Sequence, residues 1–474
     1  MRSLYETGFR PNRPPKGETA KRYEDPRWVQ GMTLALDHNY AMAEFLGAGG
    51  LTDTDLSDLT PRLVALDQDL AAARESGQAA FLELPHQTEI ITKIRQVAKP
   101  LLEWCWDLVV LGPGAAAGVR ALHQALCHPQ HNKFPMARRQ HKLGLWVADT
   151  IDPDYFYGML DGLDLRRACF NVISPDGDIP ETLAQFLWIY NLLKNRFGED
   201  KARERLIITS GPESGALQSL AARERFPSLA VPPGVRAPFS VLSAAGLLPA
   251  YLAGIDVAEL LTGAGYMAQR LKDASVDHNP AYRLAALFYL FATAKSRPIL
   301  AFLPYSQALA GLAEWFCQLW AATVGPEPAA STPVATDQPQ LPFYLEGPDD
   351  KLVTFVTVDS SQQNLELPDS YPDAALSRKG RSFKELLQAQ QLAAAGQLRQ
   401  AGRPNLTLHL PEINPFTIGQ LIYLLEVVTV AAAGLFGIKA YGQPTDRGQP
   451  TTSGFRSRRE VSEAPPALEK YRIT

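Results

Sequence analysis

Several short segments carry side chains capable of chemistry. His123, Cys127, His128 and His131 fall together in LHQALCHPQHNK, and imidazole and thiolate are ordinary ligands of zinc. Their spacing follows no standard zinc pattern, so the expectation is a helix ending before Pro129 with exposed imidazoles and no metal. Gly112-Pro113-Gly114 follows an apolar run, as a dinucleotide-binding turn would, but the GxGxxG pattern is incomplete. The pair Asp176 and Asp178 could hold a cation, and reads more simply as a solvated loop. The basic knot Arg456-Ser457-Arg458-Arg459 reads as a solvated tail. None of these segments names an activity by itself.

The elements that would position such residues are easier to read. Trp106–Leu111, Lys142–Ala148, Ala168–Ser174 and Arg205–Thr209 are short apolar runs that predict strands. Helical stretches at 115–127 and 181–195 alternate with them. A second cycle begins near Phe239. Its helices are expected at 240–270, 279–295, 306–322, 382–401 and 416–436, and its strands at 298–303, 350–358 and 405–410. A proline- and threonine-rich loop is expected at 324–342. Strands alternating with helices predict parallel sheets covered on both faces. Before the first cycle, residues 28–106 show helical spacing of apolar residues. The expected division is an arm (1–30), a helical lead-in with a first α/β domain (31–235), a second α/β domain (236–445) and a polar tail (446–474).

Composition bounds the function classes. The 474 residues carry 46% hydrophobic and 20% charged side chains, enough for substantial cores. A net charge of −4 offers no basic field for a polyanion, so nucleic acid is not an expected partner. The polar, proline-rich N-terminus has no apolar segment of the secretory kind. The run Leu421–Ile438 contains Glu426 and is shorter than the ~20 residues of a membrane span, so no membrane association is expected. Four cysteines (Cys105, Cys127, Cys169, Cys317), far apart in sequence and set among apolar residues, suit a reducing cytoplasm.

One long stretch is similar to a known family. Gly234-Val235 followed by Phe239-Ser240-Val241-Leu242-Ser243-Ala244-Ala245-Gly246-Leu247-Leu248-Pro249-Ala250 resembles the signature of glucose-6-phosphate isomerases. LLTGAGYMAQR (260–270), HNPAYRLA (278–285), LPYSQALAGLAEWFCQLWA (303–321), EGPDDKLVTF (346–355) and LLEVVTVAAAGLFGI (424–438) agree with it in order and spacing. The likeness covers about residues 30–445. It implies two sugar-isomerase (SIS-type) α/β domains with parallel sheets flanked by helices. It also implies a dimer and a metal-free, cofactor-free interconversion of glucose 6-phosphate and fructose 6-phosphate.

That chemistry needs a phosphate cradle, a carboxylate base for the C1–C2 proton and a fixed positive charge for the enediolate. Set against the family pattern, the first phosphate turn is Gly112–Gly118 without its serine. The second is Ser174-Pro175-Asp176-Gly177-Asp178, with proline for lysine and a carboxylate for a hydroxyl. Ser174, Glu181 and Thr182 persist there. Pro238 stands where the resemblance puts the arginine, with Arg236 two positions upstream. Gln318 is kept, but Ala322 stands at the base position. Pro339 follows Thr336-Asp337-Gln338 where a histidine belongs, and Pro450 stands at the lysine position.

The resulting expectation is an isomerase scaffold with its active site dismantled. Such a protein would bind a sugar phosphate or related small molecule, or regulate a true isomerase by heterodimerisation, with a homodimer as the other assembly. The alternative is a working cytoplasmic glucose-6-phosphate isomerase with relocated catalytic groups. Ser174, Glu181, Thr182, Gln318 and Arg236 are the candidate ligand-binding residues of the cleft between the two halves.

Overall fold

The computed structural model describes residues 22–175, 179–211, 215–325, 330–337, 340–367 and 382–441. Asp176, Asp178, Pro339, Pro450, the basic knot and most of the arm and tail lie outside the described residues.

The lead-in contains α1 (Pro26–Gly31), β1 (Ala35–Asp37), α2 (Ala43–Leu46), α3 (Asp53–Ser57), α4 (Thr60–Glu75) and α5 (Glu89–Trp104). The first cycle follows as β2 (Asp107–Leu111), α6 (Ala116–Leu126), β3 (Gly144–Ala148), α7 (Pro153–Asp161), β4 (Ala168–Ser174), α8 (Pro180–Phe197), α9 (Glu199–Glu204), β5 (Leu206–Ser210), α10 (Gly215–Glu224) and β6 (Ser228–Ala230). These five strands form one parallel sheet in the order β3-β2-β4-β5-β6. All seven residues of β4 are buried, as a central strand covered by helices on both faces requires.

The second cycle runs through α11 (Ala244–Ala253), α12 (Val257–Arg270), α13 (Pro280–Thr293), β7 (Ile299–Pro304), α14 (Ala310–Thr323), β8 (Thr332–Ala335), α15 (Leu341–Glu346), β9 (Lys351–Ser360), α16 (Phe383–Gln400), β10 (Asn405–Glu412) and α17 (Pro415–Leu435). Its sheet has the order β1-β10-β9-β7-β8 and is parallel except for β1. The lead-in strand β1 therefore belongs to the second sheet, with Leu36 opposite Leu408.

Two expectations need correction. The proline- and threonine-rich segment is not all loop, since Thr332–Ala335 pairs with β7. Pro333 is tolerated because β8 is an edge strand, where a missing N–H leaves no ladder bond unmade. The helical run 240–270 is two helices, because Gly254 adopts φ +94° and ends α11 before Asp256 caps α12.

The largest core lies between the sheets and holds α17. That helix is long and apolar enough to cross a membrane, longer than the run of sequence suggests, and it is almost wholly buried by the protein. It packs face to face with α12 through small residues. A Cβ at Gly263 would overlap the Phe416 carbonyl oxygen, and one at Gly419 would overlap that of Leu260.

Candidate active site

The glycine turn after β2 is built by steric need. Gly112 has φ +133°, and a Cβ there would fall on the Ile173 carbonyl oxygen of β4. Its N–H donates to Gln185 Oε1 at 3.1 Å, while Gln185 Nε2 donates to the carbonyls of Ala148 (3.0 Å) and Thr150 (2.9 Å). One buried amide from α8 thus joins the C-terminal ends of β2 and β3. Beyond the turn, α6 begins with no side-chain cap. The α8 N-terminus is also uncapped by a side chain, with Glu181 in its first turn.

Ser174 ends β4 and is buried, opposite Ser210 of β5. Thr182 is fully buried, and its Oγ1 has no hydrogen-bond partner among the described residues. Both hydroxyls, together with Glu181, therefore sit where β4 turns into α8. At carboxyl ends of parallel strands such groups face the usual ligand position of α/β folds.

Helix α14 brings the second half to this end. A Cβ on Gly311 would touch Gln124 Oε1 and Ala121 of α6, and Glu314 Oε2 lies 3.4 Å from Arg120. Rising along α14 therefore means descending α6, so the two helices are antiparallel. Gln318, one turn past Glu314, lies toward the α6 N-terminus and the glycine turn, and Ala322 one turn further. Both are exposed on the same stripe of α14, whereas Trp320 is buried and donates Nε1–H to the Ser331 carbonyl at 2.8 Å.

The turn of Ala237–Phe239 also packs against α14. Arg236 is half-buried at its start, and its guanidinium makes no hydrogen bond or ion pair with a described residue. Pro238 is half-buried beside it, and Phe239 packs on Phe81 with ring centroids 4.6 Å apart. Thr336 is engaged by Tyr344 Oη (2.5 Å) and Gln340 Oε1 (3.0 Å).

Two contributors had no signal in the sequence. Gln185 is an unremarked amide in mid-helix. Arg120, on α6, pairs with both Asp149 at the end of β3 and Glu314 of α14. Charge-pattern reading along one helix cannot find a pair formed across three elements.

A cavity of roughly 1600 Å³ opens at the carboxyl ends of β7, β9 and β10, lined by Tyr305, Val358, Ile413, Arg120, His123 and Cys127 among others. None of Ser174, Glu181, Thr182, Arg236, Gln318 or Ala322 lines it. The histidine segment beside it departs from expectation. The imidazoles of His123 and His131 are not exposed: His131 is buried, and no solvent reaches His123 Nε2. Burial, aided by neighbouring His131, lowers the His123 pKa to about 4, and burial pushes the Cys127 thiol up to about 12.

Two α/β sheets of this connectivity, flanked by helices, define an SIS-type sugar-isomerase fold. No protein-family model matches the chain. Whole relatives do. A glucose-6-phosphate isomerase of Rubrobacter xylanophilus is 36% identical over 405 residues, spanning 84% of this chain and 92% of the relative. That of Carboxydothermus hydrogenoformans is 32% identical over 453 residues, with 90% and 97% covered. Among solved structures, a hypothetical protein from Thermus thermophilus superposes with TM-score 0.77 at 28% identity, over 91% of this chain and all of the other. A glucose-6-phosphate isomerase from Chlamydia trachomatis gives TM-score 0.63 at 17% identity, over 74% and 70%, and speaks to the fold alone. The chain belongs to the glucose-6-phosphate isomerase family.

Proposed function

We propose that this family member is strongly impaired as an isomerase and acts as a binding or regulatory scaffold, either as a homodimer or paired with a true isomerase. Its ligand would be a sugar phosphate or a related small molecule held at the ends of the first sheet. The halves 31–235 and 236–445 would each supply one side of that cleft. Ser174, Glu181, Thr182, Gln318 and Arg236 are the residues assigned to it.

One observation carries this reading. The position that the family resemblance gives to the proton-transferring carboxylate is Ala322, a methyl group one turn from Gln318 on the open face of α14. A general base must come within about 2.6–3.2 Å of the proton it takes. No titratable atom stands at that place.

A working isomerase is the second reading, and Glu314 favours it. This carboxylate lies on the same stripe of α14 as Gln318, with its side chain 54% exposed. It stands about 12 Å along the helix axis from Ala322, so its use would require the sugar to bind two turns away from the family position. Relatives named as glucose-6-phosphate isomerases fit either reading.

A coupled assay with glucose 6-phosphate and fructose 6-phosphate separates them. The proposal expects turnover at least ~10⁴-fold below an ordinary kcat of order 10–10³ s⁻¹. Turnover above about 1 s⁻¹ overturns it.

A further inference from the structure

We propose that His123, Cys127 and His131 form a binding site for one borderline-soft divalent cation, with Zn²⁺ as the ion that fits their donor set, independent of the isomerase cleft. His123 lies in the last turn of α6 and Cys127 is its C-cap, so the two side chains share one helix face. Pro129 stops the helix, and the chain turns back through His131–Lys133. That return sets the His131 ring against His123, with centroids 5.5 Å apart and planes at 79°. One donor atom from each of the three residues lies within 4.8 Å of the other two.

Two independent features point to a ligand rather than to an idle core cluster. His123 Nε2 is buried with no hydrogen-bond partner among the described residues, an arrangement that costs about 1–3 kcal/mol unless something fills it. His131 Nε2 lies 2.8 Å from the Leu143 carbonyl oxygen. Since a carbonyl only accepts, Nε2 carries the proton and Nδ1 keeps its lone pair. A metal-binding imidazole is usually oriented in this way, through its other nitrogen to a backbone carbonyl. His128 is engaged differently, accepting the Gln130 N–H on Nδ1 at 2.9 Å.

The donor set selects the ion. Two imidazoles and a thiolate suit Zn²⁺ and its neighbours, and not Mg²⁺ or Ca²⁺, which take oxygen. Tetrahedral zinc with bonds of about 2.0–2.3 Å places its donors about 3.3–3.6 Å apart, within reach of small side-chain rotations from the spacing seen. His123 and Cys127 both line the large cavity, which leaves a fourth position to water or a small ligand. The ion would also clip the end of α6 to edge strand β3. That strand is already held there by Asn132, which accepts the Leu145 N–H at 2.9 Å and donates to its carbonyl at 2.7 Å.

The test uses the full chain, free of any affinity tag, stripped with a chelator and titrated with Zn²⁺ or Co²⁺. The expected result is one ion per chain, a melting temperature raised by Zn²⁺, and a cobalt spectrum with thiolate charge transfer and intense tetrahedral ligand-field bands. Cys127→Ser should abolish the charge-transfer band, and His123→Gln should weaken Zn²⁺ binding at least ~100-fold. His278→Gln, at an exposed imidazole far along the chain, should leave both unchanged. A cobalt complex lacking thiolate charge transfer, or a Cys127→Ser protein that binds Zn²⁺ as the parent does, overturns the proposal. Isomerase turnover does not enter this readout, so the site stands or falls apart from the proposed function.

Discussion

Gln185 accepts the backbone N–H of Gly112 at 3.1 Å from a position five residues into α8. The same side chain donates to the carbonyls of Ala148, the last residue of β3, and of Thr150 just beyond it, so the ends of β2 and β3 are joined by a single amide. Gln185→Leu would keep the volume and lose all three bonds, leaving a buried N–H and a buried carbonyl unpaired. The expected loss is about 2–4 kcal/mol. Urea unfolding should show it as a lower midpoint with an unchanged slope. A midpoint equal to the parent's would mean that the turn is held by sterics alone.

The second structural prediction concerns the α12–α17 contact. Gly263→Ala and Gly419→Ala each place a methyl on a backbone oxygen of the opposing helix, a group that cannot rotate away. Each should cost at least about 1–3 kcal/mol, the usual range for overpacking. Gly396→Ala, where nothing lies within 4 Å, is the matched control. It should be neutral or slightly stabilising.

How much of this was legible depended on burial. Ala168–Ser174 is apolar on both faces, and its predicted limits match β4 because a fully buried strand leaves a continuous hydrophobic run. Thr332–Ala335 left no such mark, being an exposed edge strand with a proline in it. Ala35–Asp37 is three residues long and takes its identity from β10, distant in sequence. The candidate site divides in the same way. Ser174, Thr182 and Gln318 are named from the motifs around them, and they lie at the end of β4, in the first turn of α8 and on the exposed stripe of α14. Arg120 and Gln185 act through partners on other elements, and the histidine segment looked like a helix end because the fold that buries it is tertiary.

Glu426 gives a prediction in pH. It lies fully buried in α17 with neither carboxyl oxygen hydrogen-bonded to a described residue, and burial holds its pKa well above the usual 4.5. The folded chain therefore keeps this proton at pH values where the unfolded chain has released it. Stability from this group is complete below about pH 4.5 and declines as pH rises toward the folded pKa, by up to about 1.4 kcal/mol per unit. Glu426→Met removes that term. The stability difference, variant minus parent, should grow between pH 5 and 7 in chemical denaturation, and a difference flat with pH would show that the carboxyl ionises without cost.

Ligand binding at the first sheet should be weak for a phosphate dianion. Arg120, the cation on α6, is already paired with Asp149 and Glu314, and Glu181 sits in the first turn of α8. If the dissociation constant exceeds the ligand concentration tenfold, stabilisation is less than about 0.1 kcal/mol. Glucose 6-phosphate or 6-phosphogluconate at millimolar concentration should leave the melting temperature within about 1 °C of the apo value. A rise of several degrees would show that Ser174, Thr182 and Arg236 hold the anion despite the neighbouring carboxylates.

Restoring one group should not restore the reaction. Ala322→Glu puts a carboxylate on the exposed stripe of α14, at the position that the resemblance gives to the base, where the fold can accept it without repacking. Proton transfer between C1 and C2 also needs the sugar anchored and the enediolate charge met, and Pro238 fills the position assigned to the arginine. Groups that act as a unit lose most of their effect when any one is missing, and replacing one recovers little. The variant should therefore gain less than about tenfold over the parent in the coupled assay, against the 10²–10⁴-fold that a positioned general base supplies. Adding Glu314→Gln to Ala322→Glu completes the test. If residual activity comes from Glu314, the double variant falls below Ala322→Glu alone, and the relocated-site reading gains the residue it needs. If the two variants turn over equally, Glu314 does not move the proton.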